Sequence, residues 1–298
     1  MGDISLIKAV QEYREIFLAS RNFAQRTRVE YQNDLEDLIR FLWRQNIHQV
    51  KEIGLSQLER YLAELDSRKF AGSTRKRKVV AIRSFLWYLY QERYTTVNLA
   101  KRFIPPFAEA KSPRYLTKLE YGHLLECCSS NPRDFALVQL FLQTGIKLSE
   151  LVQLSTTDIE MPSQLLLDGR EIGYLHVGGV KQSHTRIVPL NYKACLALGN
   201  YFRSRHLDQG EGLFVNRFGK PLGPRGVEKI LSKYLLEAGI NNANVQSLRH
   251  TFAIHQLLRG TNPNTLQELM GFEDAHSMNL YTSIATELME VRQSDNSL

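Results

Sequence analysis

Apolar side chains recur at helical spacing from the start of the chain. Residues 5–19 carry one such stripe and residues 28–46 another, through Tyr31, Leu35, Leu38, Ile39, Leu42 and Trp43. A third begins at Ser56, runs through Leu58, Tyr61, Leu62 and Leu65, and stops near Phe70-Ala71-Gly72. A fourth starts at the capping candidates Ser73 and Thr74 and continues through Val79, Ile82, Phe85, Leu86 and Leu89. Four amphipathic helices before residue 95 predict a small helical bundle.

The segment FIPPFAEAKSPR at 103–114 has three prolines, mixed charge and no helical period, so it reads as an extended connector. The expected division is a helical domain at 1–104, a linker at 105–114 and a second domain at 115–298. Beyond the linker, Thr117 opens a helix, DFALVQLFLQTG forms another that Gly145 ends, and Leu148 to Leu154 a short one. From Gln164 to Pro189 the period shortens. LLLDG, REIGYLHV and HTRIVPL are alternating runs split by glycine and polar turns, which predicts a small antiparallel sheet among helices. Helical patterns resume at 191–206, 224–238, 247–259, 263–270 and 276–292. The expected class is mainly α with a small antiparallel β-sheet.

Composition narrows the function classes. With 298 residues, 43% of them hydrophobic and 23% charged, the chain can bury the cores of two ordinary domains. It has no apolar run approaching the roughly 18 residues of a membrane span, and its N-terminus lacks the layout of a signal peptide, so a soluble cytoplasmic protein without a membrane partner is expected. Cys127, Cys128 and Cys195 match no metal-ligand spacing, and Gly169, Gly178 and Gly179 fit no nucleotide fingerprint. No metal or cofactor is expected.

The charge is unevenly placed. Residues 1–107 hold 19 basic and 12 acidic side chains, which accounts for the whole surplus of +7. A surplus confined to one segment points either to a polyanionic partner or to a merely soluble basic surface. Within it, Arg75, Lys76, Arg77 and Lys78 crowd the first turns of the fourth predicted helix, with Arg83 further along. Cations at a helix N-terminus oppose the macrodipole and one another, so an anion should neutralise them, and a DNA backbone would do so. The alternative is a solvated basic face.

Four segments of the second domain carry a family resemblance: TGIKLSELVQL at 144–154, VKQSHTRIVPL at 180–190, VQSLRHTFAIHQLLRG at 245–260 and ELMGFEDAHSMNLYTSIATELM at 268–289. In order and approximate spacing they resemble the two boxes, the lysine hairpin and the tyrosine segment of the tyrosine recombinases, the phage integrase family that includes the Xer resolvases. The first four helices resemble that family's SAM-like core-binding domain. The resemblance implies a mixed α/β catalytic domain, double-stranded DNA as partner, and a homo-tetramer on two DNA sites or a hetero-assembly with an active recombinase. It also implies that the segment after Tyr281, with Ile284, Leu288 and Val291, reaches a neighbouring subunit; packing on its own domain is equally compatible with that spacing.

The implied chemistry breaks and remakes phosphodiester bonds through a covalent tyrosyl phosphate, which stores the bond energy without a cofactor. By resemblance Tyr281 is the nucleophile, Arg249 the second arginine that clamps phosphate oxygens, and Lys181 the hairpin lysine that protonates the departing 5′ oxygen. Glu150 occupies the acidic position of the first box, where it either orients a neighbouring cation or is a plain helix-surface carboxylate. Three positions depart from the pattern: Lys147 stands for the first arginine, Gln246 for a histidine, and Phe272 for histidine or tryptophan. Lysine keeps charge without the bidentate fork, glutamine can donate a hydrogen bond but exchanges no proton, and phenylalanine is expected to offer packing only. His250 would lie about 100° round the helix from Arg249 and reads as structural; His184 and His276 read as surface or capping residues. The functional expectation is a site-specific DNA recombinase. Its alternatives are a catalytically impaired paralogue that binds DNA, and a helical scaffold indifferent to DNA.

Overall fold

The computed structural model describes residues 4–21, 23, 25–105, 112–162, 172–178, 186–205, 210–272 and 276–295, with backbone alone for 276–277 and 291–295. The chain divides into two units, Met1–Lys111 and Ser112–Leu298.

In the first unit, helix α1 (Leu6–Glu12) passes into a π-helical turn, Tyr13–Leu18. It is followed by α2 (Gln25–Trp43), a 3₁₀ turn (Val50–Glu52), α3 (Leu55–Ser67), α4 (Gly72–Gln91) and the short α5 (Leu99–Arg102). The predicted stripes form its core: Leu35, Leu38 and Leu42 meet Leu58 and Leu65 from α3 and Val79, Ile82, Leu86 and Leu89 from α4. Trp43, read as part of the second stripe, is exposed. The π turn faces α4 through Tyr13, whose hydroxyl donates to Ser84 Oγ at 2.8 Å and whose ring stacks on Phe17 at 5.1 Å.

Helix α4 starts at Gly72, behind an Ala71 N-cap that makes no side-chain bond, so Ser73 and Thr74 lie inside its first turn and are not caps. The anions that neutralise its basic start are internal. Arg75 pairs with Asp66, Arg77 with Glu30 and Asp34, and Lys78 with Asp34 and Asp37 at 3.1 and 2.9 Å. Asp34 and Lys78 are only 1% and 6% exposed. The phosphate-binding role expected of Lys78 is therefore corrected: its ammonium is spent on two carboxylates in the bundle. Burial raises the Asp34 carboxyl above its ordinary value. Burial also raises Asp37, but Lys78, Tyr61 and Arg68 donate to it and together hold it below the usual range. Removing the shared cation strands two buried carboxylates. Lys78→Met should therefore cost about 3–5 kcal/mol, read as a lower denaturation midpoint of the full chain, and adding Asp34→Asn and Asp37→Asn should restore part of it.

The second unit contains α6 (Lys118–Cys128), α7 (Pro132–Thr144), α8 (Leu148–Leu151) and a 3₁₀ turn (Thr156–Asp158). Strands β1 (Ile159–Glu160), β2 (Gly173–Val177) and β3 (Arg186–Leu190) come next, then α9 (Tyr192–Ser204), α10 (Pro224–Glu237), α11 (Val245–Leu258), α12 (Pro263–Met270) and α13 (His276–Asp295). Asn131, Asn191, Asn244 and Asn262 cap α7, α9, α11 and α12 through their side-chain oxygens. Thr117 and Glu120 form a capping box on α6, which agrees with Thr117 as the opening residue.

The sheet is antiparallel in the order β1-β2-β3, with Ile159 opposite Leu175 and Leu175 opposite Val188. Its first strand lies upstream of the predicted segment, whereas the predicted LLLDG run falls outside the described residues. Leu175, Val177, Val188 and Leu190 turn inward onto α7, which is buried along most of its length. A separate cluster joins α11, α12 and α13 through Phe252, Leu257, Leu266, Met270, Met278, Tyr281 and Ala285. Ile284 and Leu288 pack against this same cluster, so they cover their own unit. Among the described residues no helix is long and apolar enough to cross a membrane. The mainly α class with a small antiparallel sheet is what the structure shows.

Candidate active site

Two helix ends build the site. Helix α7 ends at Gly145 with φ 61°, and α12 ends at Gly271 with φ 63°, both left-handed caps. Glycine is required at both. A Cβ on residue 145 would overlap the Phe252 ring, and one on residue 271 would lie 2.8 Å from an Arg186 terminal nitrogen. These caps let cations approach main-chain carbonyls at the negative ends of the helix dipoles.

Arg249, on α11, bridges the two ends. One terminal nitrogen donates to the Gly145 carbonyl and the other to the Met270 carbonyl at 2.7 Å. The guanidinium also lies 4.8 Å from the centroid of the Phe272 ring. Phe272 thus does more than pack: its π face holds the cation, which corrects the expectation from sequence. Arg249 is 2% exposed, and burial lowers it to about 10, so it stays protonated near neutral pH. Among the described residues, two carbonyls take two of its five N–H donors.

Tyr281 meets the same Phe272 ring. Its ring centroid lies 5.9 Å from that of Phe272, and its hydroxyl shares a 2.8 Å hydrogen bond with His250 Nδ1. Burial raises the phenol above its ordinary pKa, and the positive charge of Arg249 works against that rise. Tyr281 is only 4% exposed.

A second cation group surrounds Glu150. Its carboxylate receives both terminal nitrogens of Arg186 at 2.8 Å each, while Arg186 Nε donates to the Leu269 carbonyl at 2.8 Å. Burial pushes Glu150 up, but the Arg186 fork and the Lys147 backbone N–H outweigh it and hold the carboxyl below its usual range. Glu150 does orient a cation, and that cation is chiefly Arg186; Lys147 Nζ stands 4.0 Å away. The Lys147 ammonium donates to the Gly271 carbonyl at 3.4 Å, and its side chain is 46% exposed. Three successive carbonyls at the end of α12, those of Leu269, Met270 and Gly271, therefore each hold one cation from a different part of the chain.

The structure brings Arg249, Tyr281, Phe272, Lys147 and Glu150 into one neighbourhood. Gln246 is exposed on the first turn of α11. Lys181 and His184 lie outside the described residues, as does the side chain of His276. In the first unit Lys76 is exposed, whereas Arg83 Nε donates to the Ala100 carbonyl at 3.0 Å.

Comparison with known proteins decides the family. Residues 114–287 match the phage integrase family and residues 10–93 its N-terminal SAM-like domain. The chain belongs to the phage integrase family. Its relatives include the tyrosine recombinase XerC of Roseiflexus castenholzii, 30% identical over 90% of this chain and 86% of the relative. XerC of Bacillus subtilis is 28% identical over 96% of this chain and 93% of its own. Among solved structures, a lambda integrase tetramer bound to a Holliday junction superposes with a TM-score of 0.72 at 19% identity, covering 93% of this chain and 78% of that one. XerH bound to a palindromic difH substrate after cleavage gives 0.74 at 18% identity, covering 95% and 84%. At these identities the likeness speaks for the fold.

Two residues of this neighbourhood stand outside the sequence-based expectations. His250 turns away from Arg249, as its helical position predicts, but α13 packs on the face it turns to and presents Tyr281 there. Arg186 had a visible signal. On alternating β3 it shares the inward face with Val188 and Leu190, and a charge on that face needs a buried partner.

Proposed function

We propose that the chain is a site-specific DNA recombinase of the cytoplasm, cutting and rejoining duplex DNA through a 3′-phosphotyrosyl intermediate on Tyr281. The observation that carries this reading is the convergence of Arg249 and Tyr281 on the Phe272 ring, with Lys147 on the adjoining carbonyl. A phosphodiester entering there would meet a buried guanidinium beside a phenolic oxygen. Lys181 is assigned the proton for the departing 5′ oxygen, and Gln246 a hydrogen bond to a phosphate oxygen. In the first unit exposed Lys76, with the solvent-facing edges of Arg75 and Arg77 and with Arg83, is assigned to the DNA backbone. The likeness to a lambda integrase tetramer bound to a Holliday junction supports a tetramer on DNA; a mixed assembly with a second, active recombinase is the alternative.

The test uses a pool of nicked duplexes with randomised core sequence, whose cleavage releases a short strand and traps the covalent product. A protein–DNA adduct surviving denaturant is expected; salt-sensitive binding without any adduct would refute cleavage. That second outcome defines the competing reading of a DNA-binding paralogue, which the three departures at Lys147, Gln246 and Phe272 favour. DNA retention absent even at low salt would sink both.

Lys147 offers a graded check. Its half-exposed ammonium makes one long contact, and a planar fork there could hold Glu150 or Gly271 while gripping a phosphate. Lys147→Arg should raise the cleavage rate about tenfold, the equivalent of one charge-assisted hydrogen bond, in single-turnover assays on the selected duplex. An unchanged rate would count against placing residue 147 at the phosphate.

A further inference from the structure

The phenol of Tyr281 must lose a proton as it attacks, yet the residues assigned to the phosphate are poor acceptors. Arg249 and Lys147 are cations, Gln246 exchanges no proton near neutral pH, and Phe272 has no lone pair. The phenol itself is buried and its pKa is raised, so spontaneous ionisation is disfavoured. Among the described side chains, the basic atom that meets the phenolic oxygen is His250 Nδ1, at 2.8 Å.

We propose that His250 is a catalytic residue that accepts the Tyr281 proton at Nδ1 while the phenolic oxygen attacks phosphorus. This rests on the reading of Tyr281 as nucleophile and adds the group that activates it. In the step, the bond from the Tyr281 oxygen to phosphorus forms and the bond from phosphorus to the 5′ oxygen breaks. The phenolic proton passes to His250, whose Nε2 already carries one, giving an imidazolium. The 5′ oxygen leaves with a proton from a separate donor, the role assigned to Lys181. In rejoining, the 5′ hydroxyl attacks phosphorus and gives its proton back to the group that supplied it, the role assigned to Lys181, while the bond from phosphorus to the tyrosyl oxygen breaks and His250 returns its proton to that oxygen.

The geometry favours this assignment over a purely structural histidine. His250 and Arg249 are consecutive on α11, so their Cα atoms are about 3.8 Å apart. Their side chains leave the helix about 100° apart, and the Phe272 ring links them, meeting the Arg249 guanidinium at 4.8 Å and the Tyr281 ring at 5.9 Å. The two ring centroids lie 5.6 Å apart with their planes tilted by 43°, and Nδ1 meets the hydroxyl at 2.8 Å. Among the described residues, the charged neighbour acting on the imidazole is Arg249 on its own helix, and Tyr281 faces it from α13. Burial first, and then Arg249, lower its pKa to about 4, so it is neutral and able to accept before DNA arrives. A bound phosphodiester offsets the charge of Arg249 and relieves that smaller part of the depression, making the imidazole a stronger base when substrate is present.

The test compares single-turnover cleavage by the wild-type chain, His250→Asn and His250→Gln over roughly pH 5 to 9. Asparagine can set a polar atom near the Nδ1 position and keep a hydrogen bond to Tyr281, yet it accepts no proton. Thermal unfolding of each variant checks that the fold persists, and His250→Gln serves if the asparagine variant does not fold. Both variants should cleave about 10²–10⁴-fold more slowly, with a rate that now climbs with pH as the phenol ionises unaided. A duplex with a bridging 5′ sulfur, whose thiolate leaves without a proton, should rescue Lys181→Ala and leave His250→Asn slow.

Rates within a few-fold of wild type with an unchanged pH profile would overturn the proposal. So would a faster variant, because His250 would then be restraining the tyrosine, and so would rescue of His250→Asn by the sulfur substrate. No adduct even from the wild-type chain would instead remove Tyr281 as nucleophile and the proposal with it, an outcome distinct from an active wild type with insensitive His250 variants.

Discussion

Tyr281→Phe is expected to yield no denaturant-resistant adduct on nicked duplexes while retaining the DNA affinity of the unsubstituted chain. The change removes one oxygen from a residue whose ring is buried among Phe252, Met278 and Phe272, so the packing that supports α13 survives. What disappears is the atom that would bond to phosphorus, and with it the hydrogen bond to His250. A neutral donor lost from a half-buried imidazole costs stability by only about 1 kcal/mol. Loss of chemistry should therefore be complete with a fold nearly intact, read by denaturing gel shift beside a thermal melt. An adduct that persists in Tyr281→Phe would move the nucleophile to another residue.

Arg249→Lys should be nearly as severe, and for two separable reasons. The guanidinium holds the Gly145 and Met270 carbonyls at once and rests on the Phe272 ring, and a single ammonium can reproduce only part of that arrangement. One buried carbonyl is then left without a partner, at a cost of about 1–3 kcal/mol in stability. The phosphate loses a planar, pre-positioned fork. Removing one such fixed donor typically slows a reaction about 10²–10³-fold, and the cleavage rate should fall at least that far even where the variant remains folded. Thermal unfolding and single-turnover cleavage measured on the same preparation separate the two losses. Cleavage within tenfold of the original would show that Arg249 only braces the helix ends.

Much of this architecture is readable in one dimension because its causes are local. The stripes of α2, α3 and α4 follow from a 3.6-residue period, the end of α7 from a glycine that tolerates positive φ, and the opening of α6 from the Thr117 and Glu120 pair. The family resemblance likewise rests on short contiguous segments, and Arg249, Tyr281 and Glu150 do meet in one neighbourhood. Readings failed where a side chain's partner lies far along the chain. The basic start of α4 promises an external anion, but Asp34 and Asp37 from α2 and Asp66 from α3 supply much of the countercharge from within. The strand at Ile159–Glu160 is too short to show an alternating pattern, and it exists because β2 offers it hydrogen bonds.

Local periodicity, caps and contiguous motifs determined by themselves that this chain is a helical bundle followed by a helical unit with a small antiparallel sheet, and that it carries an integrase-like tyrosine. Tertiary structure alone decided which groups share a carbonyl, a ring face or a proton. It placed Lys78 in the bundle's interior, gave Glu150 to Arg186, and turned His250 to Tyr281. The physical reason is one of range. Backbone preference acts over a few residues, whereas burial makes a charge or hydroxyl depend on whichever distant group folding brings within about 3 Å.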